Sequence, residues 1–138
     1  MSTNSNSQYY TAYAAIVKIT LRDGMVSEEE NEFLKHLSAK LHIRLDEYQD
    51  IMENYTYQEI VAPYTYNERL KSLYELTKII HEDTTIIGEK QAKWLQRIGT
   101  AIGFNPSNVK YITAKGLDLI KEEADVEAFS NGIRGINK

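Results

Sequence analysis

The apolar residues of this chain recur at helical spacing along most of its length. No segment shows the alternation of apolar and polar residues that is typical of a half-buried strand. Helical spacing places the apolar side chains on one face, where they can pack against a neighbouring helix. We therefore predict an all-α fold. The six apolar stripes are Tyr13, Ile16, Val17 and Leu21; Phe33, Leu34, Leu37 and Leu41; Leu45, Tyr48, Met52 and Tyr55; Leu70, Leu73, Thr77 and Ile80; Trp94, Leu95, Ile98 and Ile102; and Val109, Ile112, Leu117 and Ile120.

Helix-starting motifs stand before three of these stripes. Residues 27–30, Ser-Glu-Glu-Glu, and residues 65–68, Thr-Tyr-Asn-Glu, are capping boxes. In such a box the hydroxyl accepts a hydrogen bond from a backbone amide and the glutamate reaches back to the capping residue. Asn105 followed by Pro106 combines a capping side chain with a proline in the first helical position. We predict that the second, fourth and sixth helices begin at these motifs.

A weak internal repeat relates the two halves of the chain. A shift of 60 residues aligns Ile16 with Leu76 and Asp23 with Asp83, and a shift of 61 aligns the second stripe with the fifth. A repeat unit this small cannot bury its apolar stripes alone. We therefore expect the two halves to share one core.

The repeat and the turn-forming residues together predict a domain organisation. We expect one helical domain over residues 9–129, with related halves at about 9–55 and 66–121, followed by a short terminal helix. Residues 1–8 are rich in Ser and Asn, and residues 130–138 carry two glycines. Both ends are predicted to be flexible tails.

Composition excludes several classes of function. The 138 residues carry a formal net charge of −4, which argues against binding to nucleic acid or to an anionic membrane. The absence of cysteine excludes disulfides, thiolate metal sites and cysteine nucleophiles. No stretch reaches the roughly 18 apolar residues of a membrane span, and residues 1–8 lack an apolar signal segment. A cytoplasmic location is expected. No motif of a nucleophilic or phosphate-binding enzyme is present, so we predict a non-enzymatic protein.

The most informative segment is residues 22–32, Arg-Asp-Gly-Met-Val-Ser-Glu-Glu-Glu-Asn-Glu. Asp23 and Glu30 have the spacing of positions 5 and 12 of a calcium-binding EF-hand loop. Positions 1 and 3 would then be Ile19 and Leu21, whose side chains carry no oxygen. An EF-hand is therefore not predicted.

This segment resembles the TerB-like family, the tellurite-resistance domain also found in DjlA-type co-chaperones. The shared pattern is a helix that ends in Asp-Gly-x-Val-Ser-x-x-Glu, here residues 23–30, and an amphipathic helix that ends in Leu-His-Ile, here residues 41–43. A degenerate second copy carries Asp83, Glu89 and the Ile-Gly-Phe of residues 102–104.

The resemblance covers about residues 10–122 and implies a compact bundle of six to seven helices in two related halves. It implies a tellurite-resistance or stress-associated accessory or scaffold domain, with a divalent-cation site on an acidic face between helices. The implied ligands are Asp23, Glu30, Asp83 and Glu89. The second copy departs from the pattern at Gly88, which replaces the serine cap.

The positions of the acidic residues have two possible explanations. Asp23 and Asp83 fall at helix C-termini, where the helix dipole disfavours a carboxylate by roughly 0.3–1 kcal/mol. A hard cation such as calcium, magnesium or manganese would offset this cost. In the second account each aspartate accepts amide hydrogen bonds across its own turn, and Glu30 serves only the start of its helix.

The connector between the two halves suggests an alternative function. It is rich in tyrosine around Pro63, and rigid amphipathic rings suit a surface that binds another protein. The same rings can instead seal the packing between helices. The alternative hypothesis is therefore a protein-interaction adaptor with no metal role. Its candidate partner-binding residues are Tyr55, Tyr57, Tyr64 and Tyr66.

Overall fold

The computed structural model describes residues 9–21, 27–55 and 65–136. Within these ranges the chain forms seven α-helices and no strand, which confirms the predicted all-α class. The helices are α1 (Tyr10–Leu21), α2 (Glu28–Lys40), α3 (Leu45–Asn54), α4 (Tyr66–Glu82), α5 (Glu89–Ala101), α6 (Val109–Lys121) and α7 (Val126–Arg134). None of these described helices has both the length and the apolar character needed to cross a bilayer.

The chain divides into two compact units, Met1–Val61 and Ala62–Lys138. In the first unit, α1 packs against both α2 and α3. In the second unit, α4 packs against α5, α6 and α7, while α6 also packs against α5 and α7. Helices α4 and α6 are therefore the central elements of the second unit.

Most of the predicted apolar stripes are buried. Every member of the first, second, fourth and fifth stripes is buried, including Trp94 at 1% exposure. In the sixth stripe Leu117 is only half-buried, and the neighbouring Thr113 and Gly116 are buried instead. Burying a large aliphatic or aromatic side chain contributes roughly 1.5–3 kcal/mol, so these faces account for the packing of the helices that carry them.

The predicted buried face of α3 is wrong. Leu45 is 70% exposed, and the buried residues of α3 are Glu47 and Ile51. Glu47 turns inward because its carboxylate accepts a hydrogen bond from the Arg44 backbone amide at 2.9 Å and closes the start of the helix. Its second oxygen lies 3.6 Å from the Arg44 guanidinium. The buried face of α3 therefore runs through Glu47 and the fully buried Ile51 rather than through Leu45.

The predicted start of α6 is also wrong by one turn. Helix α6 begins at Val109 rather than at Pro106. The Asn105 side chain accepts from the Ser107 amide at 2.9 Å, and the Asn105 carbonyl accepts from the amides of Asn108 and Val109. Residues 105–108 therefore form a separate turn, which Asn105 closes, before the helix proper begins.

The two capping boxes are confirmed. The Ser27 hydroxyl accepts from the Glu30 amide at 3.0 Å, and the Glu30 carboxylate accepts from the Ser27 amide at 3.2 Å. Thr65 and Glu68 make the equivalent pair at 3.1 and 3.0 Å. These reciprocal bonds satisfy amide donors that have no partner within the helix.

The internal repeat is visible in α2 and α5. Both helices have 13 residues, and a shift of 61 residues relates their bounds. Both end with the same pair of hydrogen bonds: His42 and Ile43 donate to Ala39 and Ser38, while Gly103 and Phe104 donate to Thr100 and Gly99. This is the closure of a Schellman motif, which lets the chain leave the helix in an abrupt turn.

The predicted terminal helix is present, but it extends into the segment that was predicted to be a flexible tail. Helix α7 begins after Asp125, whose carboxylate accepts from the Ala128 amide at 2.8 Å. Residues 130–134 continue the helix, and Ile133 is fully buried together with Phe129. The tail prediction is therefore wrong for these residues. The two glycines of this segment did not outweigh the helical spacing of Phe129 and Ile133.

Candidate functional site

A groove runs between α4 and α7 in the second unit. The two helices are antiparallel, because Arg134 at the end of α7 donates to the Asn67 side chain in the first turn of α4. Further along, the rings of Tyr74 and Phe129 meet edge to face, with 5.3 Å between their centroids. Residue numbers therefore rise on α4 as they fall on α7, and this pairing decides which side chains face each other across the groove.

The groove has a volume of about 390 Å³ and is lined by one face of each helix. Its apolar part includes the half-buried ring of Tyr74 and the side chain of Val126, which is 42% exposed. An aromatic ring beside an exposed aliphatic group is the composition found at the centre of protein interfaces. The groove therefore offers an apolar anchor point that the described residues leave open to solvent.

Charged residues divide the groove into two ends. Lys71 and Arg134 lie toward the start of α4, where Asn67 contacts Arg134. One turn further along α4 is Glu75, and the antiparallel pairing places Glu127 of α7 opposite it. The groove is thus basic at one end and acidic at the other, with Tyr74 and Val126 among the lining residues.

A second cleft of about 620 Å³ lies at the other end of α4, beside the segment that joins α6 to α7. His81 lines it, and its Nδ1 atom is buried with no hydrogen-bond partner among the described residues. The lining also includes Lys78 and Lys121 together with Glu82 and Glu123. Because both signs of charge are mixed, this cleft has no evident preference for an ion of either sign.

Of the four predicted cation ligands, two carboxylates already serve their own turns. Glu30 accepts from the Ser27 amide as part of the capping box. Asp83 is 4% exposed and caps the end of α4, where one oxygen accepts from the Thr85 amide at 2.9 Å and from the Thr85 hydroxyl at 2.6 Å. This is an Asx turn, in which the aspartate stabilises the bend that follows it.

The other two predicted cation ligands are Glu89 and Asp23. Glu89 is exposed in the first turn of α5, where a negative charge stabilises the helix dipole. The preceding Gly88 has a φ of +64°, a left-handed conformation that would strain a serine. This backbone favours glycine at the position before α5. Asp23 lies outside the described residues.

No three His, Asp or Glu side chains within residues 9–21, 27–55 and 65–136 lie close enough together to hold one metal ion. Glu30 belongs to the first unit, whereas Asp83 and Glu89 belong to the second. The four-carboxylate site stays a prediction.

Two of the four predicted partner-binding tyrosines, Tyr57 and Tyr64, lie outside the described residues. Tyr55 is the C-cap residue that follows α3, and it is half-buried. Tyr66 is half-buried at the start of α4 and packs edge to face against Phe104, with 6.3 Å between ring centroids. For Tyr66, packing within its own unit is therefore the observed role.

Sequence reasoning missed the residues of the groove. Tyr74 stands outside the fourth apolar stripe, and Val126 stands in the segment after the sixth. A signal was present, because Val126, Phe129 and Ile133 have helical spacing and follow the capping residue Asp125. That signal predicts α7, but it does not predict which helix α7 packs against.

The comparisons with known proteins found no match. The chain matches no protein-family model, and it matches neither a curated protein nor a solved structure.

Proposed function

We propose that this chain is a non-enzymatic accessory or scaffold module, similar to the TerB-like domains, and that it works by binding another protein. The observation that carries the proposal is the groove between α4 and α7. Its exposed Val126 and half-buried Tyr74 provide an apolar patch, and each stands next to an acidic residue of the groove, Glu127 and Glu75. Interfaces between proteins combine such apolar contacts with charged and polar ones.

The motif of residues 23–30 supports the TerB-like part of the proposal. It combines an Asp-Gly sequence with a capping box in which Ser27 and Glu30 make both reciprocal hydrogen bonds. A role in tellurite resistance or another stress response follows from that resemblance alone. With no cysteine in the chain, direct thiol chemistry on a tellurium oxyanion is not part of the proposal.

Site-specific photo-cross-linking tests the proposal in cells that produce the protein. A photoreactive phenylalanine analogue replaces Val126 in the groove, and in a control chain it replaces Tyr111. Tyr111 is a suitable control because it is aromatic, 62% exposed and outside the groove. We expect position 126, and not position 111, to form a discrete adduct with another protein.

Circular dichroism first establishes that both labelled chains are folded. An adduct of the same protein in equal yield from both positions would indicate non-specific contact and would contradict the proposal. The absence of any adduct from position 126 would contradict it as well.

The tyrosine-rich connector is the alternative binding surface for the same function. A double variant, Tyr57→Ser with Tyr64→Ser, removes two of its rings and leaves the groove unchanged. If the protein captured at position 126 is lost in this variant while the fold survives, the connector takes part in binding. Unchanged capture assigns binding to the groove alone.

A divalent-cation role is the second candidate function, and the burial of Asp83 favours it. This carboxylate is 4% exposed at the end of α4, where the helix dipole disfavours a negative charge. The two hydrogen bonds from Thr85 offset part of this cost. A hard cation shared with Glu89 would offset more.

Thermal unfolding and amide NMR shifts test the cation role directly. A cation that binds the folded state stabilises it by RT ln(1 + [L]/Kd), so the melting temperature should rise as calcium, magnesium or manganese is added. The amide shifts of residues 22–30 and 81–90 should change, and Asp83→Asn should abolish both effects. Unchanged values in the presence of about 1 mM of each cation, roughly a hundredfold above a 10 µM Kd, would exclude the role.

A further inference from the structure

The groove between α4 and α7 is electrically polarised along its length. Glu127 lies in the first turn of α7 and Arg134 in its last turn, so the two are about 10 Å apart along the helix axis. Lys71 and Glu75 of α4 repeat the same order in the same direction. Each helix therefore contributes one acid and one base, and the two acids lie at the same end.

The charges of α4 have no role in its own helix dipole. Glu127 and Arg134 would stabilise α7 by their position alone, because acids favour a first turn and bases a last turn. Lys71 and Glu75, in contrast, lie in the middle of α4, which runs from Tyr66 to Glu82. The dipole effect is confined to the terminal turns, so it does not explain their order.

The shape of the groove suits a helix. Two antiparallel helices leave a furrow along their line of contact, and a third helix fits such a furrow at an interaxial distance of about 8–10 Å. A helix that docks in this way presents apolar side chains three or four residues apart. Tyr74 and Val126 provide the apolar contact for one such side chain.

We propose that the α4–α7 groove binds a short amphipathic helix of a partner protein, in one direction only. The first turn of this helix is basic and lies against Glu75 and Glu127, and its last turn is acidic and lies against Lys71 and Arg134. The dipole of the bound helix favours the same direction, because its positive N-terminus then meets the two acids. This inference rests on the proposed function and adds the chemistry and direction of the partner.

Two synthetic peptides of identical composition serve as probes. Each has about three helical turns, with leucine on one face. One has lysines in the first turn and glutamates in the last turn, and the other has the reverse order. The basic-first order weakens an isolated helix through its dipole, so a hydrocarbon staple on the outer face of both peptides equalises their helix content.

Binding is measured by fluorescence anisotropy at low ionic strength, where surface charges are least screened. We expect the basic-first peptide to bind the unmodified protein about fivefold more tightly than the acidic-first peptide, as several exposed ion pairs would produce. Raising the salt concentration should reduce this ratio toward one.

The deciding variant exchanges the charges of α4. Lys71→Glu with Glu75→Lys keeps the net charge and leaves two opposite charges at i,i+4 spacing. The acid now comes first, which is the orientation that stabilises a helix more. We expect this variant to reduce or reverse the preference between the peptides. The matched control, Lys115→Asp with Asp118→Lys, exchanges two exposed charges of α6 outside the groove and should leave the preference unchanged. Val126→Asp should weaken the binding of both peptides.

Several results would overturn the proposal. Equal binding of the two peptides, a preference for the acidic-first peptide, or no binding at about 1 mM peptide, the weak limit of specific affinity, would each do so. Sedimentation velocity tests the remaining occupant: a dimer that Val126→Asp dissociates would assign the groove to a second copy of this chain. If cross-linking at position 126 succeeds while the peptides fail, the proposed function stands and only the helical, directional partner is excluded.

Discussion

At the scale of single residues, one backbone position recurs after three helices. His42 follows α2 with a φ of 57°, Gly103 follows α5 with a φ of 110°, and Glu123 follows α6 with a φ of 61°. These positive values allow the chain to reverse and the next amide to bond back into the helix. Only glycine adopts them without steric cost, so His42 and Glu123 are strained where Gly103 is not.

The strain at His42 leads to a stability prediction. His42→Gly removes a steric cost of about 1–2 kcal/mol and adds about 0.5–1 kcal/mol of backbone entropy, so the free energy of unfolding should rise by roughly 0.5–1 kcal/mol. Gly103→Ala, at the equivalent position of α5, should lower it. Urea unfolding of both variants measures the effect, and a loss of stability in His42→Gly would refute the assignment of strain.

Tyr13 contributes to the response of the first unit to alkaline pH. Its hydroxyl is buried and donates to the Leu34 carbonyl at 2.7 Å. Burial raises the pKa of Tyr13 above its ordinary value of 10.0, and the neighbouring Tyr48 raises it further. The folded state therefore holds its proton at a pH where the unfolded chain has released it.

The sign of the pH effect follows from this difference. The stabilisation is complete below pH 10.0, the unfolded pKa, and falls by about 1.4 kcal/mol per pH unit above it until the folded pKa is reached. Tyr13→Phe should cost about 1 kcal/mol at neutral pH through the lost hydrogen bond. The difference in unfolding free energy between variant and unmodified protein should close or reverse at about pH 11, since the variant lacks this titration. A gap that stays constant in urea unfolding at both pH values would contradict the prediction.

At the scale of elements, the sequence was sufficient to predict a helix start wherever a capping box satisfies its own amide donors. The starts of α2 and α4 follow from Ser27 with Glu30 and from Thr65 with Glu68, because each pair satisfies its own amide donors. The stripes of α1, α2, α4 and α5 are buried as their spacing predicts. Fold class and most helix faces were therefore predictable from sequence.

Prediction failed where two local signals competed. In α3 the apolar count favoured Leu45, but Glu47, whose carboxylate accepts from the Arg44 amide, is buried together with Ile51 instead. Before α6, Asn105 favoured a separate turn over the helix start that Pro106 suggested. Sequence spacing does not rank such competing hydrogen bonds, so these boundaries required the structure.

At the scale of elements, we make a stability prediction for helix α7. Ile133 is fully buried in a segment that the two glycines had assigned to a tail. Ile133→Ala should lower the free energy of unfolding by about 2–5 kcal/mol, because it leaves a cavity in the second unit. Ile136→Ala is the matched control and should change stability by less than about 0.5 kcal/mol, since Ile136 is 41% exposed. Equal effects in thermal unfolding would show that α7 does not pack as described.

At the scale of the whole molecule, the candidate site depends on elements that are distant in sequence. Asn67 and Arg134 are 67 residues apart, yet they contact each other across the groove. Spacing arguments locate faces on single helices, and they do not state which two faces meet. This is why the sequence directed attention to the acidic turns and the connector, whereas the groove emerged only from the packing of α7 on α4.

Hydrogen exchange tests the central claim, that the α4–α7 groove is the surface by which the second unit binds a protein. The measurement compares the free chain with its complex with the protein captured at position 126. We predict slower amide exchange in residues 67–75 and 126–134, and unchanged exchange in α5, which does not line the groove. Protection confined to residues 27–55 or to α5, with no change in α7, would contradict the claim.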